Sequence, residues 1–282
     1  MKNIGIVGLG VMGGGIARNL LAKGFALTVY ARDAAKAQPF VALGAKLAAD
    51  PGSLGECEAV VLSVSATQDV EGVVAAITAA PRALRYVIDT STISAQASRA
   101  IAQRLAAQGI AFLDAPVSGG RKGADEGTLA CMVGGTQEAF DACRDVFAAF
   151  ARSITRVGES GAGQVCKACN QVAVIANMLG VAEIVALCRS NGIDPLAVRG
   201  VLLASTGRSF VLESHALRVL DGNFEPAGFR ADLMLKDLRL ALQLEQEGGL
   251  PAHVLKAAEP LLERVVREKG GAVDWTAVGT VL

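Results

Sequence analysis

The glycine pattern near the start of the chain constrains the fold more than any other feature. Residues 8–13 read Gly-Leu-Gly-Val-Met-Gly, directly after an apolar run at 3–7 and at the start of a helical pattern at 12–22. Such glycines let backbone approach a pyrophosphate, and a helix N-terminus offers it free N–H groups. A tight structural turn is the alternative, but the strand–turn–helix context favours dinucleotide binding. The expected cofactor-binding residues here are Gly8, Leu9, Gly10, Val11, Met12 and Gly13.

Short apolar runs alternate with amphipathic stretches through the first part of the chain. This alternation predicts a parallel sheet with helices on both faces. The predicted strands are 3–7, 26–30, 59–64, 86–89 and 110–113, with further candidates at 129–133 and 153–156. The predicted helices are 12–22, 66–76, 95–108 and 138–150.

The pattern changes after a glycine-rich loop at 158–163. A helical pattern follows at 163–191, long enough to span roughly 40 Å at the usual helical rise. The later segments 195–203, 210–220, 233–247 and 251–269 also read as helices. We therefore expect an α/β fold in which a dinucleotide-binding domain, 1–160, is joined by a long helix to an all-α domain, 161–282.

Composition limits the classes of partner. Hydrophobic residues make up 52% of the chain and charged residues 19%, which excludes a disordered protein. Lys+Arg and Asp+Glu both number 27, so no charge excess favours nucleic acid or an anionic membrane. No charge-free run of about 18 apolar residues is present, so we expect no transmembrane helix. The sequence predicts a cytoplasmic protein that acts on a small molecule.

The six cysteines are scattered through apolar segments, as is typical of reduced, buried thiols. Cys166 and Cys169 form a C-x-x-C pair, but a zinc site needs further ligands and the two histidines, His215 and His253, are distant in sequence. We expect no metal. A redox pair is the alternative to two helix residues that merely pack, and the packing interpretation is favoured.

The end of the second predicted strand bears on cofactor choice. An NAD-selective site usually has Asp or Glu there to hold the ribose 2′-OH, whereas this chain continues Ala31-Arg32. The guanidinium of Arg32 suits the 2′-phosphate of NADP. A solvated arginine near Asp33 is the alternative.

Two later segments carry candidate chemistry. Ser118, Gly119 and Gly120 offer a hydroxyl and unobstructed backbone N–H groups, which suit a carboxylate, although a plain turn has the same composition. Lys167 lies about one turn into the long predicted helix, and Asn170 follows on the same face. An ammonium beside a carbonyl can donate a proton as the oxygen becomes an alkoxide. An exposed helical lysine is the alternative, but the apolar surroundings favour a buried, partnered one.

Several motifs in a fixed order resemble the β-hydroxyacid dehydrogenase family, which includes 3-hydroxyisobutyrate dehydrogenases, tartronate semialdehyde reductases and glyoxylate/succinic semialdehyde reductases. The resemblance covers nearly the whole chain. It rests on residues 8–13, Asp89-Thr90-Ser91-Thr92, 114–120, Gly161-x-Gly163-x-x-x-Lys167-x-x-Asn170 and Lys236-Asp237-Leu238.

The resemblance implies a Rossmann domain, a long connecting helix and a helical domain through which subunits pair as a homodimer or homotetramer. It implies that Lys167 is the proton donor, assisted by Asn170, and that Ser118, Gly119 and Gly120 bind the substrate carboxylate. The remaining implied site residues are Val64, Ser65, Thr92 and Lys236 near the cofactor, and Phe229 and Asp237 at the border of the substrate site.

The expected reaction is NADPH-dependent reduction of a short aldehyde acid of the tartronate semialdehyde, glyoxylate or succinic semialdehyde type. Asn170-Gln171 is similar to the tartronate semialdehyde reductase pattern, while Arg32 and Arg121-Lys122 are similar to the glyoxylate/succinic semialdehyde reductases. An NAD-dependent 3-hydroxyisobutyrate-type dehydrogenase is one alternative. A non-catalytic cofactor-binding scaffold is another, because fold alone does not fix function.

Overall fold

In a computed structural model that describes residues 1–281, the chain forms two compact units. The first unit is Met1–Lys167, and the second begins at Ala168. The division lies inside one long helix. Each unit has its own hydrophobic core and is described by itself.

The first unit contains nine strands and seven helices, followed by the first residues of the long helix. The strands are β1 Asn3–Val7, β2 Ala26–Tyr30, β3 Lys46–Leu47, β4 Ala59–Leu62, β5 Tyr86–Asp89, β6 Ala111–Asp114, β7 Val117–Ser118, β8 Leu129–Gly134 and β9 Ala151–Gly158. The helices are α1 Val11–Ala22, α2 Gln38–Ala42, α3 Thr67–Ile77, α4 Ala95–Ala106, α5 Gly120–Glu126, α6 Gln137–Ala142 and α7 Arg144–Phe150. Short 3-10 turns occupy Ala34–Lys36 and Pro51–Glu56.

The strands form one sheet in the order β3-β2-β1-β4-β5-β6-β8-β7, with β9 beside β8. Strands β1 to β6 are parallel, and β8 joins β6 in the antiparallel direction. β4 is completely buried, and β1, β5 and β6 are buried apart from their first residues. These near-continuous apolar runs are typical of parallel strands covered on both faces. The first unit is therefore a Rossmann-type domain.

The second unit is helical. The long helix α8, Ala162–Ser190, is followed by α9 Pro195–Leu203, α10 Phe210–Ser214, α11 Ala216–Asp221, α12 Ala231–Glu247 and α13 His253–Lys269, then by a 3-10 turn at Trp275–Thr280. Side chains of α8, α10, α11, α12, α13 and the last turn share one buried cluster. The sequence prediction of a helical C-terminal domain is thus confirmed.

Two predicted helices are each broken in the structure. The segment 138–150 divides at Cys143, which ends α6 and precedes α7, and 210–220 divides at His215. The His215 ring packs edge-on against Phe210 and Trp275, at 5.8 Å from each ring centroid. The last helix begins at His253 and not at the predicted residue 251, because Ala252 has φ +52°. A right-handed α-helix cannot include this left-handed conformation.

Four short elements were not predicted: β3, α2, β7 and α5. Each has between two and seven residues, too few for a hydrophobic period to be visible. The candidate strands at 129–133 and 153–156 are confirmed as β8 and β9, and both extend the sheet.

Helix α8 is long and apolar enough to cross a membrane by length and composition, with a mean hydropathy of 1.9 in its most apolar window. No such segment was expected from the sequence. This evidence is weak, because core helices of soluble proteins pass the same test.

Candidate functional site

The carboxyl ends of four parallel strands lie side by side at one edge of the sheet. Val7 is paired with Leu62, Leu62 with Asp89, and Asp89 with Asp114, so the four strands end in register. The chain order reverses between β1 and β4, and ligands of open α/β sheets bind outside the strand ends at such a switch point. The loops that follow these four strands carry most of the predicted site residues.

The first of these loops is the glycine turn between β1 and α1. Gly8 has φ +92°, and a Cβ there would lie 2.2 Å from the Ser63 carbonyl oxygen. A Cβ on Gly13 would lie 1.9 Å from the Gly8 carbonyl oxygen. A Cβ on Gly10 would meet nothing within 4 Å, so this glycine faces open space.

Helix α1 begins beside that open space. No side chain caps its N-terminus and no acidic residue lies in its first turn, so its first N–H groups face no carboxylate of their own turn. The exposed Gly10 backbone and an uncapped, twelve-residue helix fit the approach of a pyrophosphate. The residues of the fingerprint therefore fit a dinucleotide cofactor.

Two more loops at the same edge are joined to each other. The Val64 N–H donates to Ser91 Oγ at 2.9 Å, and the Ser91 N–H donates to Asp89 Oδ1 at 2.9 Å. The predicted residues Val64 and Thr92 are half-buried, while Ser65 is exposed. The loops after β4 and β5 are thus linked close to the residues predicted to line the cofactor.

Arg32 lies two residues beyond β2 and has an ion-pair partner that the sequence analysis did not predict. Its guanidinium is 3.5 Å from Asp69 Oδ1, in the first turn of α3. Asp33 instead accepts the Ala35 N–H at the start of a 3-10 turn. The Arg32 side chain is 84% exposed, so this ion pair is weak and the guanidinium can turn toward a ligand.

The turn after β7 has the positive φ angles that glycine adopts easily. Gly119 has φ +133° and Gly120 has φ +62°, and both residues are exposed. Ser118, half-buried at the end of β7, precedes them. A Cβ on Gly120 would meet nothing within 4 Å, so the space beside its backbone is open.

Lys167 is buried beside this turn. Its side chain extends from α8 and donates from Nζ to the Val117 carbonyl oxygen at 3.1 Å, and the residue is only 7% exposed. Val117 immediately precedes Ser118, so the ammonium and the candidate anion-binding turn are neighbours within the first unit. The alternative of an exposed helical lysine is excluded by this burial.

The start of α8 is fixed by the Asp114 carboxylate. The Gly161 N–H donates to Oδ1 at 2.7 Å and the Gln164 N–H donates to Oδ2 at 3.0 Å, at a helix N-terminus that favours negative charge. Asp114 is completely buried. Burial raises the pKa of Asp114 to about 6, although the backbone N–H donors oppose the rise.

Gln164 is a contact residue that the sequence analysis missed. It is 3% exposed, its Nε2 donates to the Ser91 carbonyl oxygen at 2.9 Å, and its Oε1 accepts the Ile93 N–H at 3.1 Å. These bonds lie on either side of Thr92. The one sequence signal was a long polar side chain one turn before Lys167 in an otherwise apolar helix.

Predicted site residues of the second unit form a network of hydrogen-bonded side chains. The Asp237 carboxylate is 2.8 Å from Lys236 Nζ through Oδ1 and accepts the Gln171 Nε2–H at 2.8 Å through Oδ2. The Asn170 Nδ2 donates to Gln171 Oε1 at 2.9 Å. Gln171, which was noted only as a subfamily cue, therefore connects Asn170 to Asp237.

Phe229 is half-buried against the helical core, and its N–H donates to Asp274 Oδ2 at 3.2 Å.

Within residues 1–281, no group of three or more His, Cys, Asp or Glu side chains is placed to hold a metal ion. None of the six cysteines, which all lie within the described residues, forms a disulfide; Cys166 is half-buried and Cys169 exposed.

Comparison with protein-family models matches both parts of the chain. Residues 3–158 match the NAD binding domain of 6-phosphogluconate dehydrogenase. Residues 161–282 match a model described as "NAD-binding of NADP-dependent 3-hydroxyisobutyrate dehydrogenase".

Relatives of similar length are found among characterised proteins. An NAD-dependent L-serine dehydrogenase of Pseudomonas aeruginosa is 38% identical, over 99% of this chain and 97% of the relative. A 2-hydroxy-3-oxopropionate reductase of Escherichia coli is 33% identical, over 98% and 95%. The solved structure of a Mycobacterium tuberculosis 3-hydroxyisobutyrate dehydrogenase with L-serine is similar at TM-score 0.92, with 28% identity and 99% of each chain covered.

The glycine turn yields a paired prediction. Gly13→Ala should destabilise the protein by about 2 kcal/mol or more, because the new methyl meets backbone atoms that cannot move independently. Gly10→Ala should cost less than about 1 kcal/mol, because its methyl meets open space, but it should weaken cofactor binding about tenfold or more. Urea denaturation and cofactor titration measure the two effects. Equal destabilisation by both substitutions would contradict the assignment of Gly13 to packing of the turn and of Gly10 to the cofactor-facing surface.

Asp114 yields a pH-dependent prediction. Its folded-state pKa of about 6 exceeds the ordinary value of 3.8, so the folded state binds the proton more tightly. Tighter proton binding by Asp114 adds to the free energy of unfolding. This addition is fully present below about pH 4, is lost as the pH rises toward 6, and amounts to at most roughly 3 kcal/mol. The unfolding free energy of the unmutated protein, minus that of Asp114→Asn, should therefore fall between pH 4.5 and pH 7. A difference that rises with pH would reverse the sign of the argument.

Proposed function

Because this chain belongs to the β-hydroxyacid dehydrogenase family of NAD(P)-dependent oxidoreductases, we propose that it reduces short aldehyde acids to hydroxy acids with NADPH. Lys167 is the proton donor in this proposal. Ser118, Gly119 and Gly120 hold the substrate carboxylate, and Asn170 assists the lysine.

The observation that carries the proposal is the bond from Lys167 Nζ to the Val117 carbonyl oxygen at 3.1 Å. It puts a buried ammonium directly beside a turn with a hydroxyl and two glycine N–H groups. A short aldehyde acid has its carboxylate and its carbonyl a few bonds apart. One such molecule can therefore engage the turn and the ammonium together.

The chemistry follows from charge. The glycine turn at 8–13 would hold the cofactor, whose nicotinamide would supply a hydride to the carbonyl carbon. Negative charge then develops on the carbonyl oxygen. Lys167 stabilises that charge and transfers a proton from Nζ to the oxygen, which completes the alcohol. The burial of Lys167 lowers the competition from water for its ammonium. In the oxidative direction the same lysine, deprotonated, accepts the proton.

The preference for NADPH rests on Arg32 and on the absence of an acidic residue at the end of β2. The family model for residues 161–282, described by its NADP dependence, supports it. One observation favours the alternative of NAD: Asp69 lies 3.5 Å from Arg32 and competes for its guanidinium. The P. aeruginosa relative is also named for NAD.

The substrate class is proposed as tartronate semialdehyde, glyoxylate or succinic semialdehyde. The E. coli relative, a 2-hydroxy-3-oxopropionate reductase, supports the first. An NAD-dependent 3-hydroxyisobutyrate-type dehydrogenase is the second candidate, supported by the name of the similar M. tuberculosis structure. A panel of aldehyde acids and hydroxy acids with both cofactors, followed by NAD(P)H absorbance, tests the proposal.

We further propose a cytoplasmic homodimer or homotetramer. The six cysteines, all within the described part of the chain, form no disulfide, and this fits a reducing compartment. Large apolar side chains of the second unit are exposed: Leu187 at 66%, Val201 at 69% and Phe210 at 71%. Exposed residues of this kind favour a subunit interface.

Substitution of Lys167 tests the proton donor. Lys167→Met should fold and bind NADPH yet lose about 10²–10⁴-fold in kcat, the usual contribution of general acid catalysis. Lys167→Arg should also be poor, because arginine does not readily release its proton. Asn170→Ala should cost less than Lys167→Met. Activity of Lys167→Met within a few-fold of the unmutated enzyme, in a sample shown to bind cofactor, would refute the role.

Cofactor choice is tested at Arg32 and its partner. Arg32→Ala should weaken NADPH binding about ten- to a hundredfold and change NADH binding little, as expected for one charge-assisted bond of roughly 1.5–3 kcal/mol. Asp69→Asn should strengthen the preference for NADPH over NADH, because it frees the Arg32 guanidinium and removes a negative charge near the 2′-phosphate. Titration of both variants with both cofactors measures this, and equal use of NADPH and NADH by the unmutated protein would contradict the preference.

The anion-binding turn is tested with substrates. An aldehyde acid should be reduced with a kcat/KM at least about a hundredfold above that of its neutral amide, since each charge-assisted bond adds roughly 1.5–3 kcal/mol. Ser118→Ala should narrow that ratio without changing cofactor affinity. Equal kcat/KM for the charged and neutral substrates would reject the assigned role of the turn.

A further inference from the structure

We propose that Gln164 is a positioning residue for hydride transfer, which holds the loop around Thr92 in register with the turn of α8 that carries Lys167. The inference rests on the proposed function, in which Thr92 lies near the nicotinamide and Lys167 donates the proton. It assigns a role to a side chain outside the set of residues that contact ligand.

The nitrogen and the oxygen of the Gln164 amide both bond to one loop. Nε2 donates to the Ser91 carbonyl oxygen at 2.9 Å and Oε1 accepts the Ile93 N–H at 3.1 Å. Because these partners flank Thr92, the amide fixes the backbone on both sides of it. Both bonds are buried, where a lost partner costs more than at the surface.

Both ends of this link are themselves fixed. The Gln164 N–H is held by the buried Asp114 carboxylate at 3.0 Å, three residues before Lys167 in the helix. The loop is held by the bond from the Val64 N–H to Ser91 Oγ at 2.9 Å and by the Asp89 carboxylate. The Gln164 side chain therefore sets the spacing between two rigid pieces, and does not simply fill space.

That spacing matters for the reaction. The hydride must reach the carbonyl carbon while the proton reaches the carbonyl oxygen, so the nicotinamide loop and the lysine must meet one carbonyl group together. A misplacement of about 1 Å can cost about a hundredfold in rate. In this proposal, cofactor affinity depends largely on the glycine turn and on Arg32, whereas the side-chain hydrogen bonds of Gln164 go to Ser91 and Ile93.

Two substitutions of Gln164 distinguish its hydrogen bond to Ser91 from its hydrogen bond to Ile93. Gln164→Glu keeps nearly the same shape and an acceptor for the Ile93 N–H, but it sets a carboxylate oxygen against the Ser91 carbonyl. Gln164→Met removes both bonds at similar length. Thr78→Val is a matched control, because it removes a half-buried bond to the Val74 carbonyl, 2.7 Å long, at the end of α3.

The measurements are kcat per bound cofactor, the primary isotope effect with deuterated NADPH, the NADPH dissociation constant, and hydrogen exchange at the Ile93 amide. Both Gln164 variants should lose about tenfold or more in kcat, with an increased isotope effect as hydride transfer becomes rate-limiting. NADPH affinity should stay within about threefold. Gln164→Met should also accelerate exchange at Ile93, whereas Thr78→Val should change none of these quantities.

Other outcomes overturn specific claims. If both Gln164 variants lower the melting temperature but keep kcat and the isotope effect within about twofold, the role is structural and the inference is wrong. Unchanged exchange at Ile93 in Gln164→Met would overturn the link itself, with or without turnover. If the unmutated protein reduces no aldehyde acid of the panel, the proposed function fails, and the catalytic part of the inference fails with it.

Discussion

The buried carboxylate of Asp114 is the contact on which the site depends. Asp114 is the last residue of β6, and its carboxylate accepts hydrogen bonds from the backbone N–H groups of Gly161 and Gln164. One side chain thus joins the edge of the sheet to the first turn of α8. The approach is close: a Cβ on Gly163 would lie 2.4 Å from the Asp114 carbonyl oxygen. Lys167 follows one turn later, and its direction toward the Val117 carbonyl is a consequence of this anchoring.

The fold of the first unit was predictable because its signals are local. Buried parallel strands read as short apolar runs, and β1, β2 and β5 have the predicted bounds. Glycines mark turns with positive φ, as at Gly8, Gly119 and Gly120. The breaks at Cys143 and His215 were not predictable, because the helical period continues through both segments. At His215 the break coincides with packing against Trp275, sixty residues later in the chain.

The site was predictable to the extent that its residues lie in compact motifs. The glycines at 119 and 120 predicted a turn, and the structure has positive φ at both. The apolar neighbours of Lys167 in the sequence predicted a buried lysine, which is confirmed. The roles of these residues in binding and catalysis stay predictions. Gln164 and Asp69 were missed, since their partners, Ser91 and Arg32, are 73 and 37 residues away in sequence. No local pattern reports such contacts.

The central claim is that one short substrate engages the Ser118 turn and Lys167 at once. A crystal structure of the protein with NADP⁺ and a short hydroxy acid tests it most directly. The account predicts the substrate carboxylate on Ser118 Oγ and the N–H groups of the following glycines, with the substrate hydroxyl about 3 Å from Lys167 Nζ. A carboxylate bound elsewhere, with Lys167 still on the Val117 carbonyl and out of reach of the hydroxyl, would contradict it.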